Sequence, residues 1–165
     1  MSCLDTASLV FIPNYQFFSV RDYDMYERPG ATEALIAAHK TIVAAGDCEV
    51  FVVCAQDLLK VGLTVSLYDA PVGVDPTGWD STRRFTLPFP TGVLHAGDGF
   101  GNVINLELPH TGSYAVILQY SGRDEAAATL LREWPVAAAL PLDQTREVLD
   151  RWAGLERYQI TVFPA

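Results

Sequence analysis

The 165-residue sequence lacks the short motifs that identify many enzymes, metal sites and nucleotide sites. It has no HExxH helix, no paired cysteines at zinc spacing and no nucleophile elbow. Its longest apolar runs, such as VFVVC and AVIL, are too short to cross a bilayer. No basic segment precedes the first apolar residues, which argues against a signal peptide. These absences predict a cytoplasmic protein that uses no cofactor or metal ion and does not bind a membrane.

Cysteine is scarce, with only Cys3, Cys48 and Cys54 in the chain. An odd number without a secretion signal argues against a disulfide framework. On one strand, Cys48 and Cys54 would be about 20 Å apart, too far to share a metal ion. Both are therefore expected to be buried free thiols.

Basic residues are also few, since 11 of them face 20 acids for a formal charge of −9. Such a surface repels nucleic acids and anionic membranes and attracts basic proteins at long range. The basic pair Arg83-Arg84 lies in a strand pattern that directs its two side chains to opposite faces. Acidity also serves solubility alone, so charge by itself does not identify a partner.

What the sequence does contain is a series of short β patterns separated by proline and glycine. They predict a mainly β chain of about seven or eight strands. The clearest candidates are Tyr15–Asp22, Cys48–Cys54, Gly62–Asp69, Asn102–Leu108 and Ser113–Ser121. Strands do not alternate with helices, which disfavours a doubly wound sheet. We expect a single antiparallel β-sandwich domain over residues 1–165.

Helical patterns are restricted to connections between the strands. One is predicted from Thr32, as N-cap, to about His39, with glycine 46 ending the segment. Its apolar face would contain Leu35, Ile36, His39, Ile42 and Val43. Residues 122–154 carry two more helical patterns, which Pro135 separates.

The segment LPHTGSYAVIL has the local pattern of a tyrosine corner. A leucine and a turn glycine precede Tyr114 at the start of an apolar strand. The hydroxyl of Tyr114 is expected to bond back across this turn, a feature of many β-sandwiches.

Two polar loops carry residue types that occur in chemical sites. His95 and Asp98 have the residue types of half a metal or acid–base site. The adjacent GDGFG (residues 97–101) resembles a phosphate loop, but a strand rather than a helix follows it, so a hairpin turn is expected. Asp69, Asp75 and Asp80 lack calcium-loop spacing. A small enzyme using His95 with Asp98 or Asp69, or a metal- or ligand-binding sandwich using the loop residues around His95 and Asp98, therefore stays an alternative.

The stretch NYQFFSVRDYDMYE (residues 14–27) divides into two halves. YQFFSV reads as a strand covered on both faces. The tail mixes tyrosines with acids, and tyrosines are enriched at interface hot spots. We therefore expect a partner-binding surface formed by Asp22, Tyr23, Asp24, Tyr26 and Glu27.

As an ordered set, several segments resemble the competence protein J family of bacterial nuclease inhibitors. They are YQFFSV, TEALIAAHKTIVAAGD, STRRFTLPF, NVINLELPHTGSYAVIL and the closing YQITVFP. The resemblance covers about two thirds of the chain, while the helical connection 122–154 departs from the family pattern. It implies a β-sandwich that inhibits a nuclease, and it supplies no inhibitory residues by position.

Charge and resemblance together favour a protein-binding module. An acidic inhibitor or immunity-type partner fits the basic cleft in which a nuclease or toxin holds a polyanion. The remaining alternative is a structural sandwich whose exposed aromatics join copies of the same chain. Under the leading hypothesis the protein is not an enzyme.

Overall fold

The computed structural model describes residues 1–165 and contains ten strands, three α-helices and a 3₁₀ turn at Asn14–Gln16. The strands are β1 (Cys3–Phe11), β2 (Phe17–Asp22), β3 (Val43–Ala45), β4 (Glu49–Val53), β5 (Val61–Tyr68), β6 (Ser81–Phe89), β7 (Val93–Gly97), β8 (Val103–Glu107), β9 (Gly112–Ser121) and β10 (Arg157–Pro164). The helices are α1 (Ala31–Thr41), α2 (Arg123–Ala137) and α3 (Leu142–Asp150). The mainly β class is confirmed, but seven or eight strands is too few. The three-residue β3 escaped recognition because it follows α1 almost directly.

The strands form two five-stranded sheets packed together. The first has the order β1-β5-β10-β9-β6 and the second has the order β3-β4-β2-β7-β8. A cluster of 25 buried residues from both sheets makes the core. All pairs are antiparallel except β5 with β10, which run parallel. The expectation of a purely antiparallel arrangement is therefore wrong at the centre of the first sheet.

Period-two patterning placed most strand residues on the correct face. In β8, Ile104 and Leu106 are buried while Asn105 and Glu107 are exposed. β9 lies inside the first sheet and is buried over most of its length, as its apolar composition predicted. Pro88 is tolerated because β6 is an edge strand.

The tyrosine corner is confirmed. Tyr114 is fully buried, and its hydroxyl donates a hydrogen bond to the carbonyl oxygen of His110 at 2.8 Å. The turn that precedes β9 is thereby tied to the start of that strand.

The first helix differs from its prediction in both its ends and its buried face. α1 begins after Gly30, which has φ of +74°, and Thr32 forms no cap hydrogen bond. Ala34 and Ala38 are its buried residues, whereas His39 is exposed and Ile36 is 55% exposed. Small alanines let the helix pack closely on Phe51 and Val53 of β4. The predicted apolar face was wrong in two respects, since Ile36 and His39 of the helix face solvent, and Ile42 and Val43 lie beyond its end at Thr41.

The two later helices lie within residues 122–154 as expected. Pro135 does not separate them, since it sits in the last turn of α2. Having no N–H, Pro135 cannot donate to the carbonyl oxygen of Leu131, and the helix ends two residues later, at Ala137. Leu59, Ala126, Ala137 and Leu149 form a small apolar cluster between this connection and the sheets.

A buried charged cluster joins this helical connection to both sheets. The side chain of Glu156 is fully buried and pairs with Arg123 of α2 at 3.1 Å. It also accepts hydrogen bonds from the backbone nitrogen of Ala55 at 2.7 Å and from Gln56 Nε2 at 3.3 Å. The hydroxyl of Tyr158 donates to the same carboxylate. The carboxylate of Glu156 is thus surrounded by four hydrogen-bond donors of the protein itself.

Candidate functional site

The main cleft of the molecule lies on the outer face of the second sheet. It has a volume of about 450 Å³. Strands β2, β4 and β7 form its floor, α1 forms one wall, and the β7–β8 hairpin contributes Asp98, Gly99 and Phe100. The outward-facing residues of β2 line it because the inward-facing ones, Phe18 and Val20, fill the core.

Strand register places a row of polar side chains across the cleft floor. Arg21 of β2 is paired with Glu49 of β4 on one side and with His95 of β7 on the other. His95 is in turn paired with Asn105 of β8. Side chains at paired positions lie on the same face of a sheet, so these four form one line.

An arginine–glutamate–arginine cluster occupies one end of this row. Glu49 is only 1% exposed, and Nη1 of Arg28 lies 3.2 Å and 3.3 Å from its two carboxylate oxygens. Arg21 Nε lies 3.7 Å from the same carboxylate. Nη1 of Arg21 also donates to the carbonyl oxygens of Asp22 and Tyr23, both at 2.9 Å. The two cations offset the cost of removing this carboxylate from water.

His95 is held in place by Asn105, whose Oδ1 lies 3.0 Å from Nδ1. Burial, reinforced by the nearby charge of Arg21, lowers the pKa of His95 below its ordinary value. The imidazole is therefore neutral near pH 7. With Oδ1 of Asn105 as acceptor, the proton sits on Nδ1 and leaves Nε2 as an acceptor.

We expect the pKa of His95 in the folded protein to lie below about 6.5, the ordinary pKa of a histidine side chain. A folded-state pKa below the unfolded one means that the neutral form contributes stability above about pH 6.5, and that this contribution is lost as pH falls. A two-dimensional NMR titration of the ring protons measures the midpoint. Urea unfolding of wild type and His95→Gln at pH 7.5 and 5.5 provides the control, since the variant should lose less stability on acidification. A midpoint at or above 6.5 contradicts the argument.

Asp98 does not act together with His95. Its carboxylate accepts hydrogen bonds from Asn14 Nδ2 at 2.7 Å, Asn102 Nδ2 at 2.8 Å and the backbone nitrogen of Phe100 at 2.9 Å. Burial raises the pKa of Asp98, but these hydrogen bonds outweigh it and hold the pKa below its usual value. His95 and Asp98 line the same cleft but form no hydrogen bond with each other. The three hydrogen bonds of Asp98 instead hold the β7–β8 hairpin in place.

The other sequence candidates are dispersed. GDGFG is a hairpin turn between β7 and β8, with positive φ at Gly99 and Gly101, as predicted. No group of three histidine, cysteine, aspartate or glutamate residues is placed to hold a metal ion. The three loop aspartates each accept a hydrogen bond from a different backbone nitrogen. Asp69 accepts from Ser2, Asp75 from Thr77 and Asp80 from Gly122.

The structure also shows the environment of the basic pair Arg83-Arg84 and of the three cysteines. Arg83 and Arg84 are both exposed, and Arg84 stacks over the ring of Phe163 rather than pairing with an acid. Cys48 and Cys54 are buried free thiols as expected, whereas Cys3 is exposed. No helix combines the length and apolarity needed to span a bilayer.

The predicted partner-binding residues divide between the interior and the surface. Asp22 is fully buried, and its carboxylate binds Thr91 through the hydroxyl at 2.7 Å and the backbone nitrogen at 3.0 Å. The reason is the strand period, because the alternation that buries Phe18 and Val20 continues to Asp22. Asp22 therefore has no surface to offer a partner.

The other four predicted residues are exposed, and we call residues 23–27 the tyrosine–acid segment. Tyr23 is 55% exposed and Tyr26 is 89% exposed, with Asp24 and Glu27 also at the surface. A shallow depression beside this segment shares Arg21 and Arg28 with the cleft. The Asp24 carboxylate, by hydrogen bonding and by its charge, raises the pKa of the Tyr26 hydroxyl. The segment thus adjoins the cleft across the two arginines.

Sequence reasoning missed an exposed aromatic pair at the opposite rim. Tyr15 and Phe100 are 74% and 62% exposed, and their ring centroids are 5.6 Å apart. Tyr15 was expected in a strand, but it lies in the 3₁₀ turn with φ of +55°, and Gln16 has φ of +62°. Two successive positive φ values in residues other than glycine are strained. The bond from Asn14 to Asp98 ties this turn to the hairpin that carries Phe100.

Comparison with known proteins identifies the fold. No protein-family model matches the sequence, and no curated protein matches it significantly. The structure is similar to ComJ, inhibitor of the DNA degrading activity of NucA, from Bacillus subtilis, with a TM-score of 0.59 and 13% identity over 99% of this chain and 98% of ComJ. It is equally similar to a protein described as crocagin biosynthetic gene J, with a TM-score of 0.59 and 13% identity over 99% of both chains.

Both likenesses extend across the helical connection 122–154, because they cover 99% of this chain. The resemblance to the competence protein J family, which the order of segments indicated, is therefore confirmed as a distant likeness of fold.

Proposed function

We propose that this protein is a binding protein that inhibits a basic nuclease or a toxin of similar charge. The observation that carries the proposal is the likeness of fold to ComJ over nearly the whole of both chains. Fold alone does not determine function, so the proposal depends on surface chemistry as well.

The charge of the chain suits such a partner. An enzyme that holds a polyanion needs a basic cleft, and a protein of formal charge −9 is drawn to it at long range. The tyrosine–acid segment supplies the two kinds of group such a contact uses, with acids to steer the encounter and tyrosines to be buried in it. Tyr23, Asp24, Tyr26 and Glu27 are the proposed contact residues.

An enzymatic role is less well supported by the geometry. His95 is bonded to Asn105, and Asp98 is bonded to two asparagines and a backbone nitrogen. Neither residue has the other as a partner, so the two do not form a hydrogen-bonded His95–Asp98 pair.

The first test is capture of the partner and a measurement of its association. The immobilised protein is incubated with native extract of the source cell at low salt, and eluates are assayed for DNA degradation before and after removal of the inhibitor. With the captured partner, Asp24→Asn combined with Glu27→Gln should slow association about tenfold at low salt and flatten its salt dependence. Stopped-flow or surface-based kinetics across ionic strengths measures both quantities.

The matched control removes two charges elsewhere. Asp143→Asn with Glu147→Gln alters exposed acids on α3 and leaves the net charge equal to that of the first variant. If both double variants slow association equally, net charge acts alone and the tyrosine–acid segment is not the contact. Capture of the same chain alone, with gel filtration showing concentration-dependent dimers, would instead support the homo-oligomer alternative and contradict inhibition.

A further inference from the structure

We propose that the cleft binds a small organic carboxylate with an apolar body and an amide N–H, the chemistry of an N-acylated amino acid or a peptide C-terminus. This ligand site adjoins the proposed inhibitory contact and shares Arg21 and Arg28 with the depression beside it, but none of residues 23–27 lines the cleft. Binding at the cleft and inhibition of a nuclease can therefore succeed or fail independently.

The accessible charge of the cleft is positive, although the chain as a whole is acidic. Both carboxylates that line it are buried, with Glu49 1% and Asp98 4% exposed. The side chain of Arg28, in contrast, is 44% exposed. Nη1 of Arg28 engages Glu49, while its Nε and Nη2 make no hydrogen bond to the protein. An incoming anion therefore meets the free donors of a guanidinium held in place by a buried acid, the geometry that favours a carboxylate.

One end of the cleft suits an apolar body. Phe17 and Phe51 pack edge to face with centroids 6.1 Å apart, and Leu35 of α1 completes this end of the cleft. Phe100 stands at the hairpin rim and is largely exposed. A volume of about 450 Å³ lies within the range of small-molecule sites, and 5 of the 13 residues that line it are hydrophobic.

His95 supplies the third recognition element. Its Nδ1 is committed to Asn105, and its Nε2 makes no hydrogen bond within the protein. A neutral imidazole with this tautomer accepts a hydrogen bond at Nε2. The cleft thus offers donors for a carboxylate, one acceptor for an N–H group and apolar surface beside them. An N-acylated amino acid carries all three complementary groups.

The direct test uses N-acetylphenylalanine and N-acetylleucine as probes, with their C-terminal amides and N-acetylglycine for comparison. Chemical shift changes in a ¹⁵N-labelled sample locate binding and give dissociation constants. The two apolar carboxylates should bind at the cleft roughly tenfold or more tightly than their amides, since a charge-assisted hydrogen bond is lost. N-acetylglycine should also bind more weakly. Equal binding of acids and amides, or shifts located elsewhere, would overturn the proposal.

Two variants and one control test where the probes bind and which group recognises the carboxylate. Arg28→Gln should weaken the acids roughly tenfold and leave the amides unchanged. Thr32→Trp keeps every charge and fills the cleft from α1, where Thr32 lines the wall, so it should abolish binding of all probes. Glu33→Trp places the same bulk outside the cleft on the same helix, and because it also removes one negative charge it should bind the acids at least as tightly as wild type. Normal binding by Thr32→Trp would contradict the assigned position.

A final comparison distinguishes the two sources of this chemistry. The tripeptide N-acetyl-Ala-Ala-Phe presents the same C-terminus with two more residues. Binding at least tenfold tighter than N-acetylphenylalanine assigns the site to peptide ends, whereas equal binding assigns it to free acylated amino acids. Failure of every carboxylate to bind while nuclease inhibition persists would remove this proposal and leave the proposed function intact.

Discussion

Replacing Glu156 with alanine should lower the free energy of unfolding by about 3–5 kcal/mol, the usual cost of breaking a buried ion pair. Arg123, whose side chain is only 14% exposed, would lose its one carboxylate partner inside the protein. The backbone nitrogen of Ala55 and the amide of Gln56 would lose an acceptor as well. Each buried donor left without a partner carries its own desolvation cost.

The environment of Glu156 shows how far this cluster is removed from water. Burial, followed by the charge of Glu156, raises the pKa of the Cys54 thiol. Burial also raises the pKa of the Tyr158 hydroxyl well above its usual value. Both groups stay protonated at neutral pH, and Tyr158 uses its proton to bind Glu156. The carboxylate thus accepts from Arg123, Ala55, Gln56 and Tyr158 at once, which makes it the common partner of this cluster.

Urea unfolding of Glu156→Ala beside Glu147→Ala measures the effect. Glu147 also lies near an arginine, at 3.8 Å from Arg151, but both side chains are mostly exposed. Exposed pairs contribute about 0–1 kcal/mol, so the control should be nearly as stable as wild type. A loss below about 1 kcal/mol for Glu156→Ala would show that the cluster is replaceable.

Replacing Gly122 with alanine is the second change with a large expected effect, a loss of about 3 kcal/mol. Gly122 precedes α2 with φ of +78°, a conformation that alanine adopts only with strain. In addition, a Cβ atom at this position would overlap the backbone carbonyl group of Leu155. Since the obstacle is backbone next to Glu156, the chain cannot yield without disturbing the charged cluster.

Gly99→Ala is the matched control for this prediction. Gly99 has nearly the same φ, +74°, but no atom lies within 4 Å of the Cβ that alanine would add. The control therefore isolates the conformational cost, about 1–2 kcal/mol. Thermal or urea unfolding of both variants gives the difference, which reports the steric contact alone. Equal losses would mean that the Leu155 backbone moves aside freely.

The sequence was most informative where a local pattern determines the structure. Alternation in Asn102–Leu108, turn chemistry in GDGFG and the corner at Tyr114 all depend on residues close together in the chain. The free thiols of Cys48 and Cys54 also followed from composition. Such features need no knowledge of which strands are neighbours.

Features that depend on strand order could not be predicted. Arg21, Glu49 and His95 share one row only because β4, β2 and β7 are adjacent, and their positions along the chain do not indicate it. Arg123 and Glu156 are likewise brought together by the packing of α2 on the sheets. Asp22 was misplaced for a different reason. Its charge suggested the surface, whereas the strand period, continued by two residues, already indicated the interior.

The position of β10 also constrains when the protein can fold during synthesis. β10 follows the other nine strands in chain order, yet it lies between β5 and β9 in the middle of the first sheet. Until residues 157–164 emerge, β5 and β9 have no partner on their inner edges, and such unpaired edges favour pairing with other chains. Contacts between residues this distant in sequence also form slowly. A nascent chain of this protein is therefore most exposed to aggregation just before its translation reaches β10.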